Sequence, residues 1–441
     1  MLPRSFEDRS VCIVGLGYVG LTLAVVMAEV GFTVHGVEIN PDVVDSIARG
    51  EPHFSEKGLR ARLGAQIAAG RITASTEWPA PEGIKVYIVT VGTPLGKDGK
   101  TNLNAISNVA QAIGRQLKDD DLVILRSTVK VGVTNNVVRP ILEASGKRAD
   151  LAFCPERTVE GRALEELRTL PQIVGGGDED ATVRAAQLFS LITPTVVRVR
   201  DLETAEMIKL INNTQRDLMF AFANEVAAIC DDIGVSVAEV VRAGNMGYQR
   251  ASMPLPGPVG GPCLEKDPYI LAESTLDPEG IARMALLGRR VNEELPARAM
   301  KQIERLGLPG PVAKIAIFGL AFKGRPETSD LRGTLAVKLI ADAAATFPDA
   351  RIVGFDPAVP GDDIETLGIA AAASAEEAAG DADLLLFQNN NPQFEQLDLD
   401  DLAARMRAGG LIYDFWNQFD RSSIRGANGV RYCAFGSLCL S

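Results

Sequence analysis

Residues 260–267 read Gly260-Gly261-Pro262-Cys263-Leu264-Glu265-Lys266-Asp267, a thiol behind two glycines with a carboxylate four residues on. Two positions without a β-carbon let a substrate approach the sulfur closely. Cys263 becomes a nucleophile where a nearby cation lowers its pKa. Asp267 shares its face if a helix starts there. On this segment alone, a buried structural cysteine in a Gly/Pro turn stands level with that reading. Lys209 and Asn213 are four apart in a helical stretch and project from one face. An ammonium beside an amide is suited to stabilising an oxyanion. Taken by itself, the pair reads more readily as a solvated lysine and a surface asparagine. Residues 154–161, Cys154-Pro155-Glu156-Arg157-Thr158-Val159-Glu160-Gly161, follow an apolar run. There Glu156 and Glu160 could activate water, or form only a charged loop. Lys323, Arg325 and Arg332 of 322–332 could bind phosphates. The alternative is a basic loop offset by Glu327 and Asp330.

A further segment points to a cofactor. Gly15-Leu16-Gly17-Tyr18-Val19-Gly20 lies between a predicted strand and a predicted helix, the context that dinucleotide binding requires. Gly15 permits the tight turn, Gly17 lets a pyrophosphate near the backbone, and Gly20 allows close helix packing. The helix start supplies amides and partial positive charge. Glu38 ends the next strand, eighteen residues after Gly20, where an acid would hold a ribose diol and favour NAD over NADP.

These segments need a scaffold, and the apolar pattern supplies one. Short apolar runs at 9–15, 33–38, 85–91, 121–126 and 151–153 read as buried strands, with helices such as 18–30 and 104–117 between them. Strand-helix alternation predicts a doubly wound parallel sheet whose strand C-terminal ends form the cofactor crevice. Residues 203–233 hold no Gly or Pro and predict one helix about 45 Å long. A helix of that length spans domains or forms a dimer interface. A second helical block covers 279–306, kinked or broken at Pro296. Near Pro309 the chain resets into strands at 314–319, 351–355, 383–387 and 410–414. The expectation is α/β: two Rossmann-like domains joined by a long central helix. The boundaries are 1–200 for cofactor binding, 201–308 for a central helical region carrying Lys209 and Cys263, and 309–441 for substrate binding.

Composition excludes several classes. A formal net charge of -12 speaks against non-specific nucleic-acid binding, which needs a basic face. No run of about 18 apolar residues predicts a membrane span, and no signal-peptide core precedes the first strand, so a cytoplasmic protein is expected. Six scattered cysteines without a CxxC pair read as reduced buried thiols. Two histidines, His35 and His53, leave neither a His-rich metal site nor the usual His base; no metal is expected.

Taken together, the segments resemble the UDP-glucose/GDP-mannose dehydrogenase family. The ordered landmarks are GLGYVG at 15–20, VGTP at 91–94, ST at 127–128, PE at 155–156, ETAEMIKLINN at 203–213, Gly260-Gly261 with Cys263 and Asp267, Asn292, and FKGRPETSDLR at 322–332. The resemblance implies a dimeric enzyme that uses two NAD to oxidise the C6 hydroxyl of a nucleotide sugar to a carboxylate. It implies that Cys263 forms a thiohemiacetal and then a thioester, which water hydrolyses. Lys209 and Asn213 would stabilise the oxyanion, and Asp267 would take part in proton transfer. Thr128 would position water, and Glu156 would be the hydrolytic base, with Glu160 matching a second glutamate. Gly15, Gly17, Tyr18, Val19, Gly20, Glu38, Thr93, Thr128 and Arg332 would border the cofactor. Glu156, Arg157, Glu160, Lys209, Asn213, Gly260 and Lys323 would meet substrate.

Departures from the family pattern are Pro262 before the cysteine, Gly333-Thr334 in place of Ser-Pro, and DFWNQF at 414–419. Residues 154–176, with Arg157 where the glucose branch has Phe, resemble the branch acting on UDP-N-acetylhexosamines. UDP-N-acetylglucosamine or UDP-N-acetylmannosamine is therefore favoured. Lys266-Asp267 matches the glucose branch, which keeps UDP-glucose as runner-up ahead of GDP-mannose. The product would supply surface-polysaccharide synthesis. A non-catalytic nucleotide-sugar or NAD binder would have lost Cys263, Lys209 or Glu156. A simple hydroxy-acid dehydrogenase explains neither Cys263 nor the second α/β domain.

Overall fold

The computed structural model describes residues 6–80, 83–250, 252–420 and 425–440. The chain divides into two compact units, Met1–Asn213 with Tyr269–Ala282, and Thr214–Pro268 with Arg283–Ser441.

The first unit is built on eight strands: β1 (Ser10–Val14), β2 (Thr33–Val37), β3 (Ile72–Ser75), β4 (Val86–Val89), β5 (Asp121–Leu125), β6 (Ala149–Phe153), β7 (Gln172–Gly176) and β8 (Val196–Arg198). Their order is β3-β2-β1-β4-β5-β6-β7-β8. All pairings are parallel except β6 with β7. β4 and β5 are buried along their whole length, as expected of strands covered on both faces. Helix Tyr18–Glu29 buries nine residues from Gly20 to Ala28 on one side of the sheet. Ile106 and Ile113 of helix Asn104–Gln116 join the core on the other.

The second unit repeats the plan with β9 (Lys314–Phe318), β10 (Arg351–Phe355), β11 (Ala370–Ala371), β12 (Leu384–Phe387), β13 (Leu411–Asp414), β14 (Arg431–Ala434) and β15 (Ser437–Leu440), in the order β11-β10-β9-β12-β13-β14-β15. Only β14 with β15 is antiparallel. The repetition reaches single hydrogen bonds. Gly15 N–H donates to Val37 O at 2.8 Å, and Gly319 N–H to Phe355 O at 2.9 Å. Leu16 N–H donates to Glu38 Oε2 at 2.8 Å, and Leu320 N–H to Asp356 Oδ2 at 2.7 Å. A β-carbon at Gly36 would meet Leu16 Cδ1, and one at Gly354 would meet Leu320 Cδ1. What differs is the next stretch. In the first unit a helix begins at Tyr18, whereas after Gly319 a loop intervenes before helix Ala336–Thr346.

The predicted long helix is Leu202–Ile233, 32 residues without a break. The 279–306 block forms three helices, Pro278–Ile281, Arg283–Glu293 and Leu295–Leu306. Pro296 sits in the first turn of the last one, where its missing N–H leaves no bond unmade. Among the described residues no helix is long and apolar enough to cross a membrane. Cys12, Cys154, Cys230 and Cys263 are outside any disulfide; the first three are buried and Cys263 is exposed. Cys433 is disulfide-bonded, a correction to the reduced-thiol expectation; the side chain of Cys439 lies outside those described.

Candidate active site

The sheet of the first unit delivers its chemistry at adjacent strand ends. Gly15 follows β1, Thr93 lies four residues beyond β4, Thr128 follows β5, and Glu156 follows β6. Gly15 holds φ +89°, a left-handed turn that glycine tolerates at no steric cost. A β-carbon at Gly20 would lie 1.9 Å from Gly15 O, so any larger residue would push the helix off the turn. Gly17 is the opposite case: a β-carbon there would meet no atom within 4 Å. The backbone at Gly17 therefore faces open space at the start of the helix carrying Tyr18 and Val19, the place for a pyrophosphate. Glu38 ties its carboxylate to the Leu16 N–H beside this turn. Thr93 is buried and donates from Oγ1 to Thr128 O at 2.5 Å, so the two loops expected to border the cofactor are joined. This cradle fits a dinucleotide.

Glu156 is buried and fully engaged. Its Oε2 pairs with Arg126 Nη2 at 2.5 Å, and its Oε1 accepts the N–H groups of Arg157 and Thr158, both at 2.7 Å. Burial is the largest influence and would raise the carboxyl. The Arg126 charge, the Thr158 N–H and the Lys209 ammonium outweigh it and hold the group below the usual carboxylate range. Glu156 is thus anionic at neutral pH, and Lys209, itself buried, is near enough for its charge to act on it. Two residues predicted from separate segments are brought together. Arg126 also donates to Cys154 O at 3.0 Å and to Gln172 Oε1 at 2.9 Å. Its guanidinium lies 5.1 Å from the Phe189 ring centroid. Arg157 anchors on Pro171 O. The partly buried Glu160 precedes Gly161, whose N–H donates to both Glu56 and the Tyr18 hydroxyl.

Lys209, Asn213 and Asp217 repeat every four residues along the long helix, so they share a face. In the second unit Asp217 pairs with Arg289 at 2.7 Å, and burial pushes its carboxyl up to about 6 in spite of that partner. Cys263 lies on a single helical turn, Gly261–Leu264, and Asp267 opens a separate helix, Asp267–Glu273. A helix does start at Asp267, separated from the thiol's own turn by Glu265 and Lys266. The reason for the separation is Pro268, which has no N–H to give to Leu264 O. Pro262 sits in the first turn after the cap residue Gly260, where helix N–H groups lack intrahelical partners anyway. The thiol turn rests on the 322–333 loop: Gly261 N–H donates to Gly333 O at 2.7 Å, and a β-carbon at Gly261 would strike the Phe322 ring at 2.3 Å. On that loop Lys323 lies over the Phe322 ring, and Arg332 chelates Asp330 through Nε and Nη2.

Motif reading missed Arg126, Gln172, Glu56, Asp217 and Arg289. Arg126 precedes the Ser127-Thr128 landmark, and Asp217 continues the Lys209-Asn213 spacing; those were the available signals. Glu56 and Arg289 carry none, because their partners lie 107 and 72 residues away.

With fold and crevice in place, comparison with known proteins is direct. Residues 9–193 match the NAD binding domain of the UDP-glucose/GDP-mannose dehydrogenase family, residues 203–294 its central domain, and residues 316–421 its UDP binding domain. The chain belongs to this family and is an NAD-dependent oxidoreductase. It is 34% identical to the NDP-N-acetyl-D-galactosaminuronic acid dehydrogenase of Ralstonia nicotianae, over 91% of this chain and 95% of the relative. It superposes on a UDP-D-ManNAc dehydrogenase from Pyrococcus horikoshii with TM-score 0.86 and 29% identity, covering 97% of this chain and 99% of the other. A UDP-glucose dehydrogenase from Pyrobaculum islandicum gives TM-score 0.85 and 26% identity, with 99% and 100% covered.

Proposed function

We propose that this chain oxidises the C6 hydroxyl of a UDP-N-acetylhexosamine, UDP-N-acetylglucosamine or UDP-N-acetylmannosamine, to the carboxylate in two successive oxidations. The reading rests on one observation above others: of the cysteines described outside a disulfide, Cys263 alone is exposed, on a turn pinned to the 322–333 loop. Both acetamido-sugar relatives cover nearly the whole chain. Two NAD molecules, bound one after the other, would each accept one hydride, one for each oxidation. The Cys263 thiolate adds to the C6 aldehyde, forming the C–S bond, and holds that carbon through the second oxidation as a thioester. Lys209 and Asn213 stabilise the developing oxyanion. Asp267 relays the hydroxyl proton. Glu156, with Thr128 positioning the water, accepts a proton as water attacks, and the C–S bond breaks to return the thiolate. Glu160, Arg157, Gly260 and Lys323 contact the sugar nucleotide, and Arg332 reaches the cofactor.

UDP-glucose is the second reading, favoured by Lys266-Asp267 and by the Pyrobaculum islandicum likeness. We further assign a homodimer, working in the cytoplasm. Met219, Phe222, Ile229 and Ile233 of the long helix are exposed, as are Met284 and Leu287 of helix Arg283–Glu293. Gly288 brings the second helix against Leu218 and Ala221 of the first, so these side chains form one apolar face. The deciding experiment measures NADH formed per sugar nucleotide consumed, with the three UDP sugars offered separately. A ratio of two with an acetamido sugar at the highest kcat/KM is expected. A ratio of one, or full yield from Cys263→Ala, overturns the thioester route.

A further inference from the structure

One guanidinium grips the nucleophile loop on both sides of the thiol. Because Pro268 offers no N–H, Leu264 O is released from helical bonding. It accepts instead from Arg289 Nη1 at 3.2 Å. Nη2 of the same side chain donates to Val259 O at 3.0 Å. These carbonyls stand four residues before Cys263 and one after it. Nη1 is in turn held by Asp217 Oδ1 at 2.7 Å, on the helix that carries Lys209 and Asn213. The Arg289 and Asp217 side chains are 1% and 0% exposed. Asn292, one turn beyond Arg289, donates to Asp217 Oδ1 at 2.9 Å and to Asp217 O at 3.0 Å. It accepts from Asn224 at 2.9 Å. Asn224 exchanges two hydrogen bonds with Gly257, at the start of the loop.

We propose that Arg289 is a positioning residue for Cys263, and that Asp217 fixes Arg289 to the long helix so that the thiol is held in place for attack. The proposal rests on the reading of Cys263 as nucleophile. The geometry specifies arginine. A planar fork reaches two carbonyls five residues apart and a carboxylate at once, which a single ammonium cannot do. Charge is therefore not the whole of the role, and lysine will not replace it. Burying an unpaired charge at either end would also loosen the loop.

The test uses full-length Arg289→Lys, Asp217→Asn and Cys263→Ala. It reads kcat and KM for the UDP sugar, normalised to NAD sites titrated by fluorescence. Arg289→Lys is expected to lose kcat on the order of a hundredfold, as a misplacement of about 1 Å can cause, with KM and NAD affinity within about twofold. Asp217→Asn, which keeps the shape and one acceptor, is expected to fall part of the way and stays informative if the arginine variant does not fold. Wild-type kcat in Arg289→Lys, with Cys263→Ala inactive, overturns the proposal while leaving the nucleophile reading intact. Loss of titratable NAD sites in step with kcat also overturns it, in favour of a role in folding alone. Wild-type turnover by Cys263→Ala removes the reading beneath it, and the proposal with it.

Discussion

Replacing Arg126 with methionine isolates the buried charge on which the Glu156 reading depends. The substitution keeps apolar bulk near Phe189 and removes the partner of Glu156 Oε2, along with the donors to Cys154 O and Gln172 Oε1. A buried carboxylate left without its cation costs about 3–5 kcal/mol. At about 2–4 °C per kcal/mol for a unit of this size, that is a fall in melting temperature of about 6–20 °C. The sign of the pH dependence follows from Glu156. In the native enzyme its pKa is lowered, so its contribution to stability is present above the ordinary carboxyl value and lost as pH falls through the lowered one. Without Arg126, burial acts with less opposition and the pKa rises. The variant's deficit is therefore largest at neutral pH and shrinks in acid, where Glu156 is protonated. The acid limb of kcat should move to higher pH, because a protonated Glu156 cannot accept a proton from water. Melting curves and steady-state NADH production between pH 5 and 8 read both effects. Glu156→Gln added to Arg126→Met should recover part of the stability, since the uncompensated charge is gone. An acid limb unmoved in a folded Arg126→Met enzyme would refute the assignment of Glu156 as the hydrolytic base.

Other outcomes follow from local geometry. Gly17→Ala should leave the melting temperature within about 1 °C, because nothing lies within 4 Å of the new carbon, while weakening NAD binding about tenfold or more by calorimetry. Gly20→Ala, whose carbon would sit 1.9 Å from Gly15 O, should instead destabilise the enzyme by about 1–3 kcal/mol in urea titration. Gly333→Ser, toward the family's common residue, meets Glu265 Oε2 at 2.2 Å and a φ of +62°. It should lower stability by about 1–3 kcal/mol in the same titration. Phe222→Glu on the exposed apolar face should shift the species seen by light scattering from dimer to monomer; an unchanged mass would remove that face from the interface.

Much of this protein was legible before folding. Apolar runs of strand length named β1, β2, β4, β5 and β6 of one sheet and β9, β10, β12 and β13 of the other, because buried parallel strands carry no polar face to confuse the pattern; β3, β7, β8, β11, β14 and β15, towards the sheet edges, were not read. Gly15, Gly17 and Gly20 were readable because each answers a different local demand of one turn. The 32-residue helix was readable because no residue within 203–233 breaks it. The loop landmarks were readable as a series, which is how Glu156, Lys209, Cys263 and Lys323 could be named together.

Tertiary structure decided the rest. Which face of a loop is buried, and what charge waits there, depends on residues remote in the chain. Arg126 meets Glu156 across 30 residues, Glu56 meets Ala163 across 107, and Arg289 meets Asp217 across 72. No periodicity connects such pairs. The likeness between Leu16–Glu38 and Leu320–Asp356 is carried in sequence by Gly-Leu after one strand and Gly-x-acid closing the next, but the spacing from leucine to acid differs, and the matching hydrogen bonds made the correspondence plain. Sequence placed the reactive groups on their elements through short-range steric and helical rules. Their protonation and their aim were left to burial and to partners that only the folded chain brings within reach.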